Sequence, residues 1–390
     1  MVRAALKVVD SPPFYSEGIS LEGGNLSGEV HSLHQVASLP YMTRPAVATY
    51  CIERFSRPGD VVFDPFCGTG TIPLEANLLG RVAYASDRNP LSVRMTQAKL
   101  DPADLTEVTM ALQQLDFRRP VNLKSFCEYF APFYDVATFR ELANLKLFLE
   151  RNTDRAACFL ELLALGLLHG PSAGYFSAYS PSQISLSPME QEELNVKRRQ
   201  VPDYRSVTPR LLKRSASSLR DGYVSSIRNV ALRNISGLSD ARNVPFIPPA
   251  SVDLVVTTPP VPGEEQAIAK QWLKLWFAGY SAPQLSREIS VGTTPNQWGD
   301  FMNEVLVELA RVVRTSGRVV LNLCDIPWRG GRVALDDIIY QMVETHLHRF
   351  WEPECLLVDE GVTDKVAGRK RRTGSGRVSV GSRILVLRRF

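Results

Sequence analysis

Val61-Val62-Phe63-Asp64-Pro65-Phe66-Cys67-Gly68-Thr69-Gly70-Thr71 decides the fold of this chain. Val61 to Asp64 reads as a short buried strand that ends in a carboxylate. Gly68-Thr69-Gly70 follows as a tight loop, because glycine lets the backbone turn sharply and approach a ligand where a Cβ would clash. Thr71 to Leu79 then reads as a helix, stopped by Gly80. A loop between strand and helix presents free N–H groups to an anion, and Asp64 offers an acceptor to a cationic amino group.

Working outward, Val82 to Ser86 is a second strand with Asp87 at its tip, and Asn89 to Leu100 a second helix. This strand-loop-helix-strand-helix run opens a doubly wound sheet. A second acid about 20 residues after the loop suits ribose hydroxyls. Carboxylate, ammonium and ribose occur together in S-adenosylmethionine, which is the cofactor expected here. The predicted cofactor-binding residues are Asp64, Pro65, Phe66, Cys67, Gly68, Thr69, Gly70, Thr71 and Asp87. Upstream, 43–56 (TRPAVATYCIERFS) reads as a helix with Pro near its first turn, and 1–40 as an irregular arm.

The α/β rhythm breaks from about residue 103 to 235. Residues 136–150 and 155–168 have helical apolar spacing, and 171–218 is rich in Ser, Pro, Tyr and Arg. It resumes with a buried strand at 251–256, a helix at 298–314, a strand at 318–324, a helix at 333–348, and strands at 354–358 and 383–389. The expected fold is therefore α/β: a Rossmann-like methyltransferase sheet with a largely helical insertion. The expected division is 1–102 for the arm and first half of the core, 103–235 for the insertion, and 236–390 for the second half.

Composition constrains the class further. Hydrophobic residues make up 44% and charged residues 22% of 390 positions, ordinary for a globular protein. The cysteines at 51, 67, 127, 158, 324 and 355 form no CxxC pair or Cys/His cluster, so no metal site is expected and reduced thiols in a cytoplasm fit. The N-terminal MVRAALKVVDSPP has no apolar core of a signal peptide, and no apolar run reaches the length of about 18 that suggests a membrane span.

Asp64 to Thr71, followed by Glu75-Ala76, resembles motif I of the amino-methyltransferases that act on nucleic acid. Asp253-Leu254-Val255-Val256-Thr257-Thr258-Pro259-Pro260 resembles their motif IV, D/N/S-P-P-Y/F/W after the fourth strand. There the polar side chain and a proline carbonyl accept hydrogen bonds from the target amino group, and the aromatic stacks on the flipped base. The resemblance thus implies a catalytic role for Thr257, Thr258, Pro259 and Pro260. It places Ser239-Asp240-Ala241-Arg242 at motif III, with Asp240 and Ala241 against the cofactor's adenine, and residues 31–56 at motif X. It covers about 31–100 and 236–389, and the bacterial N4-cytosine/N6-adenine DNA methyltransferases with motif I before motif IV match best. It implies double-stranded DNA as substrate and a cognate restriction endonuclease as partner.

Val261 stands where the family has its aromatic, and Thr258 where it has Asp, Asn or Ser. Threonine lies nearer the serine variant associated with cytosine N4. Base–aromatic stacking is worth roughly 1–3 kcal/mol, so another ring is a candidate replacement: Trp272, Trp276 or Tyr280, although core packing is the favoured reading of each. Net charge is +4, with basic runs at 197–233 and 365–377. Lys197, Arg198, Arg199, Arg369, Lys370, Arg371 and Arg372 are the expected phosphate contacts. An RNA guanine-N2 methyltransferase and a non-catalytic DNA-binding subunit are the competing readings.

Overall fold

The computed structural model describes residues 16–19, 21, 30–40, 42–222, 224–263, 265–289, 291–359 and 383–390. The basic run at 365–377, with Arg369, Lys370, Arg371 and Arg372, lies outside the described residues. The strands are β1 (Ser16–Ile19), β2 (Val61–Asp64), β3 (Val82–Asp87), β4 (Ile235–Leu238), β5 (Val252–Thr257), β6 (Val313–Leu323), β7 (Asp325–Trp328), β8 (Gly331–Ala334), β9 (Trp351–Asp359) and β10 (Arg383–Arg389). All but β7 and β8 join one sheet, in the order β1-β9-β10-β6-β5-β2-β3-β4.

From β4 through β6 neighbouring strands run parallel, whereas β10 is antiparallel to both β6 and β9. Parallel strands are covered on both faces and so read as continuous apolar runs. Because side chains alternate between faces, Phe63, Val255, Val319 and Leu321 pack with Trp298, Met302 and Leu306 of the helix Pro295–Val312. Val62, Leu254, Val256 and Val320 face the other way, onto Val47, Ala48 and Ile52 of the helix Pro45–Phe55 and Ile72 and Ala76 of Thr71–Leu78. The chain leaves β2 through β3 and β4 on one side and returns through β5 and β6 on the other. That reversal is a topological switch point, and a ligand cleft forms outside the carboxyl ends of the strands there.

Local signals fix the flanking helices. Asn89 accepts from the Leu91 amide at 3.0 Å and Pro90 follows it, starting Pro90–Leu100. Thr294 accepts from the Gln297 amide at 3.2 Å with Pro295 at the first turn, so this helix begins before the expected Trp298 and ends at Val312. The largest differences from expectation lie at irregular backbone. β6 starts at Val313, ahead of the expected Arg318, through a polar stretch in which Ser316 has φ 64° and the register against β5 shifts. β1 adds to β9 from within the arm, and the hairpin β7–β8 takes the start of the expected 333–348 helix, which runs from Leu335 to Met342.

The insertion is largely helical, as expected, with helices at Leu105–Gln113, Val136–Leu149, Arg155–Leu167, Pro188–Arg198, Val207–Ser218 and Val224–Ala231. Its Phe130, Leu142 and Leu163 share one apolar cluster with Leu33 and Val36 of the arm, Leu74, Leu91 and Met95 beside the sheet, and Leu273 and Phe277 after β5. Gly166 marks the closest approach: a Cβ there would stand 1.8 Å from the Val36 carbonyl oxygen. Gly166→Ala should therefore push the arm off the insertion and lower the unfolding free energy by about 1–3 kcal/mol, measured by urea denaturation. Unchanged stability would mean that this contact is not made in solution.

Candidate active site

Asp64 closes β2 at the switch point, with 2% of its surface exposed. Its Oδ1 accepts from Thr257 Oγ1 at 2.6 Å and from the Phe66 amide at 3.1 Å. Both bonds fall on Oδ1, so Oδ2 is left for a ligand. Burial pushes the carboxyl up to about 7, against the two hydrogen bonds and with help from the charge of Asp87.

The loop after Asp64 is fixed from several sides. The Cys67 amide donates to the Ser86 carbonyl at 3.0 Å and the Gly70 amide to the Cys67 carbonyl at 2.7 Å. Gly70 has φ 76°, and a Cβ on it would meet the Thr96 Cα at 3.0 Å. Asp87 accepts from the Gly68 amide at 3.0 Å and the Asn89 amide at 2.8 Å, tying the loop to the tip of β3. Burial pushes its carboxyl up to about 6. Lys99, wholly buried, donates from Nζ to the Thr69 carbonyl at 2.6 Å, and burial pulls its ammonium down to about 7. The Cys67 thiol is buried, accepts from Thr96 Oγ1 at 3.3 Å and is pushed well above its ordinary range by burial. It is thus unsuited to nucleophilic attack.

The facing wall is the segment after β5. Thr257 is fully buried and its hydroxyl is engaged by Asp64, so it joins the two motifs rather than facing the cleft. Thr258 Oγ1 stands 2.9 Å from Thr43 Oγ1 and accepts from Asn322 Nδ2 at 3.1 Å. The Pro260 carbonyl accepts from Trp298 Nε1 at 2.7 Å. Thr258, Pro259, Pro260 and Val261 line one cavity of about 1190 Å³ together with Asp64, Gly68, Asp87 and Ala241. Asp240 pairs with Arg88 at 3.3 Å and with Arg242 at 2.8 Å beside that cavity.

A third wall comes from 31–56, the segment that the resemblance places at motif X, together with Glu75; its side chains His34 and Thr49 were not singled out in the sequence. His34 Nε2 lies 2.6 Å from Glu75 Oε1, and Thr49 Oγ1 donates to Glu75 Oε2 at 2.8 Å; all three residues line the cavity. Lys99 and Asn322 were also missed. The signal for Lys99 was a lone base on the apolar stripe of Leu91, Met95 and Ala98, and for Asn322 an amide between Leu321 and Leu323 at a strand's end.

Of the aromatic replacements, core packing holds all three. Trp272 packs on Phe130 and Phe133 and donates to the Leu186 carbonyl, Trp276 lies 4.3 Å from the Phe130 ring, and Tyr280 receives the Arg94 guanidinium. None lines the cavity, whose rings come from Tyr50, Phe66 and Phe301. Lys197, Arg198 and Arg199 are exposed at a helix end, with Arg198 3.6 Å above the Tyr179 ring. Much of the remaining basic run is structural. Arg205 and Arg210 bind carbonyls of 172–177, Arg214 that of Gln35 and Arg228 that of Pro102. Among the described residues no cluster of His, Cys, Asp or Glu could hold a metal ion, and no helix is long and apolar enough to cross a membrane.

Residues 31–98, which carry the arm, the loop and Asp87, match the family model described as DNA methylase. The type II methyltransferase M.MvaI of Kocuria varians is 31% identical over 87 residues, which are 22% of this chain. The chain matches only 19% of that relative's length. Together these matches support the N4/N6 DNA methyltransferase family. Among solved structures, geranyl diphosphate C-methyltransferase from Streptomyces coelicolor A3(2) is 8% identical, with a TM-score of 0.37 over 88% of this chain and 80% of its own. The rRNA methyltransferase aviRa from Streptomyces viridochromogenes is 12% identical, with a TM-score of 0.33 over 83% of this chain and 99% of its own. The fold stands on the strand order and not on these two.

The buried lysines make stability pH-dependent. Lys99 falls from 10.5 unfolded to about 7 folded, so the folded chain holds fewer protons than the unfolded one across that window. Stability then rises with pH above about 7 and is lost as pH falls through it. Lys274, which donates to the Ser38 carbonyl, is lowered to about 7 in the same way. Lys99→Met should therefore halve the upward slope of unfolding free energy between about pH 7 and 9, read by urea titrations at each pH. An unaltered slope would show that Lys99 stays charged.

Proposed function

We propose that the chain is an S-adenosylmethionine-dependent methyltransferase that modifies the exocyclic amino group of a base extruded from double-stranded DNA, cytosine N4 in preference to adenine N6. The observation that carries this reading is the meeting of two motifs in one cavity, with Asp64 and Asp87 on one wall and Thr258-Pro259-Pro260 on the other.

The residues fit the cofactor. Asp64 Oδ2 suits the methionine ammonium, the Thr69 amide of the loop its carboxylate, Asp87 the ribose and Ala241 with Asp240 the adenine. When bound, S-adenosylmethionine supplies an electrophilic methyl group. The chain's task is then orientation. Thr258 Oγ1 and the Pro259 carbonyl accept hydrogen bonds from the target amino group, which holds its otherwise delocalised lone pair toward the methyl. The bond of Pro260 to Trp298 keeps that segment rigid. In a duplex the amino group is paired, so the base has to leave the stack. Exposed Lys197, Arg198 and Arg199, with Arg369, Lys370, Arg371 and Arg372, are proposed as contacts to the backbone. A cognate restriction endonuclease is proposed as partner, as the resemblance to the bacterial N4-cytosine/N6-adenine DNA methyltransferases implies.

Nucleoside mass spectrometry tests the reading. Unmethylated bacterial DNA and unmodified RNA are incubated separately with protein and S-adenosylmethionine. N4-methylcytosine in DNA is expected. N6-methyladenine would keep the class and change the base, whereas a product only in RNA, or none in either, would overturn the DNA reading. Thr258→Val should remove transfer and spare cofactor binding; unchanged turnover would sink its role.

The Asp64 carboxyl, raised to about 7, gives a second test. Below that value it carries a proton and cannot receive an ammonium, so cofactor affinity should weaken about tenfold per pH unit at first and level off above. Calorimetric titration of S-adenosylmethionine should show this in the parent. Asp64→Asn should bind weakly and keep only the lower step near 6 that belongs to Asp87. Parent-like affinity in that variant would remove Asp64 from the cofactor site.

A further inference from the structure

Thr258 replaces a carboxylate, carboxamide or serine position with a hydroxyl that already has two neighbours. A hydroxyl carries one hydrogen and two acceptor lone pairs. Asn322 Nδ2 donates into one lone pair at 3.1 Å, and Thr43 Oγ1 shares a hydrogen bond with the same oxygen at 2.9 Å. If Thr258 donates to Thr43, its second lone pair is free to face the cleft. If Thr43 donates to Thr258, both lone pairs are filled and the hydrogen of Thr258 points at the cleft instead. The first arrangement receives an amino group and the second repels one.

Resting on the reading of this site as an amino-methyltransferase, we propose that Thr43 and Asn322 are positioning residues that set the Thr258 hydroxyl as an acceptor for the target amino group. Thr43 takes the hydroxyl hydrogen away from the cleft, and Asn322 anchors the oxygen. The three residues come from separate parts of the chain and all line the cavity. Thr258 follows β5 and Asn322 lies on β6, one step beyond the paired Thr257 and Leu321. Thr43 is held by its neighbours: Arg44 forms an ion pair with Asp359 at the end of β9, and Pro45 opens the next helix. The arm thus contributes to the chemistry of the target base as well as to the cofactor pocket.

The test uses the full chain with S-adenosylmethionine and unmethylated bacterial DNA. Initial rates are measured against DNA concentration, and cofactor affinity separately by calorimetry. Thr43→Val keeps the shape and removes the acceptor. It should lower the rate at saturating DNA by about tenfold, the worth of one hydrogen bond, with the half-saturating DNA concentration and cofactor affinity unchanged. Thr43→Ser should restore the rate. Asn322→Leu should fall in the same parameter, and its combination with Thr43→Val should cost less than the product of the two losses. A parent-like rate in Thr43→Val would overturn the proposal. Loss of cofactor affinity in both the Val and Ser variants would overturn it too, since that marks a structural role. A parent that binds cofactor but methylates no DNA would fail differently: the DNA amino-methyltransferase reading itself would fall, and this proposal with it.

Discussion

The buried hydrogen bond from Thr257 to Asp64 ties the two halves of the site together at the tips of the paired strands β2 and β5. Asp64 ends the strand before the reversal of the sheet and Thr257 ends the strand after it, so the bond spans the switch point itself. With both groups buried, an unmatched partner would cost far more than the bond contributes. The two strand ends are therefore held in register where the cofactor and target have to meet. Reacting groups need close alignment, and this contact carries the β2–β5 register on to the strand tips.

The same economy appears throughout the loop. Asp64 and Lys99 are buried and Asp87 half-buried, yet none is matched by a close opposite charge: backbone amides and carbonyls and the hydroxyls of Thr257 and Ser92 satisfy them. Burial consequently moves all three toward their neutral forms. A cleft of this kind is tuned to receive a ligand that carries its own charges. An ion pair already formed within the protein would have to be broken first.

The strand-loop-helix frame was legible because its signals are local. Val61 to Asp64 is apolar up to its acid, the glycines have backbone angles that other residues resist, and Asn89-Pro90 caps a helix by itself. What was hidden depends on contacts distant in sequence. β1 is recognisable only by its partner β9, more than 300 positions away. Lys99 drew no expectation, because the carbonyl that holds it belongs to a loop 30 positions away, and Thr257, expected to be catalytic, gives its hydroxyl to Asp64. Part of the basic insertion was hidden in the same way. Arg205, Arg210, Arg214 and Arg228 count toward a positive run in the sequence, but in the fold they bind carbonyl oxygens.

The valine at the aromatic position can be understood in the same physical terms. Val261 lines the cavity and packs with the apolar cluster that contains Phe301. The ring of Phe301 lies 6.0 Å from that of Phe66, on the same wall. Aromatic surface is thus present in the cleft, displaced from the position after the two prolines to the cofactor loop and the helix Pro295–Val312. A base held there would rely less on stacking beside the prolines and more on hydrogen bonds to its amino group. On the proposed reading this raises the demand on the Thr258 hydroxyl, which hydrogen bonds to Thr43 and Asn322 restrain. On that reading the valine and the restrained hydroxyl are linked features of one site.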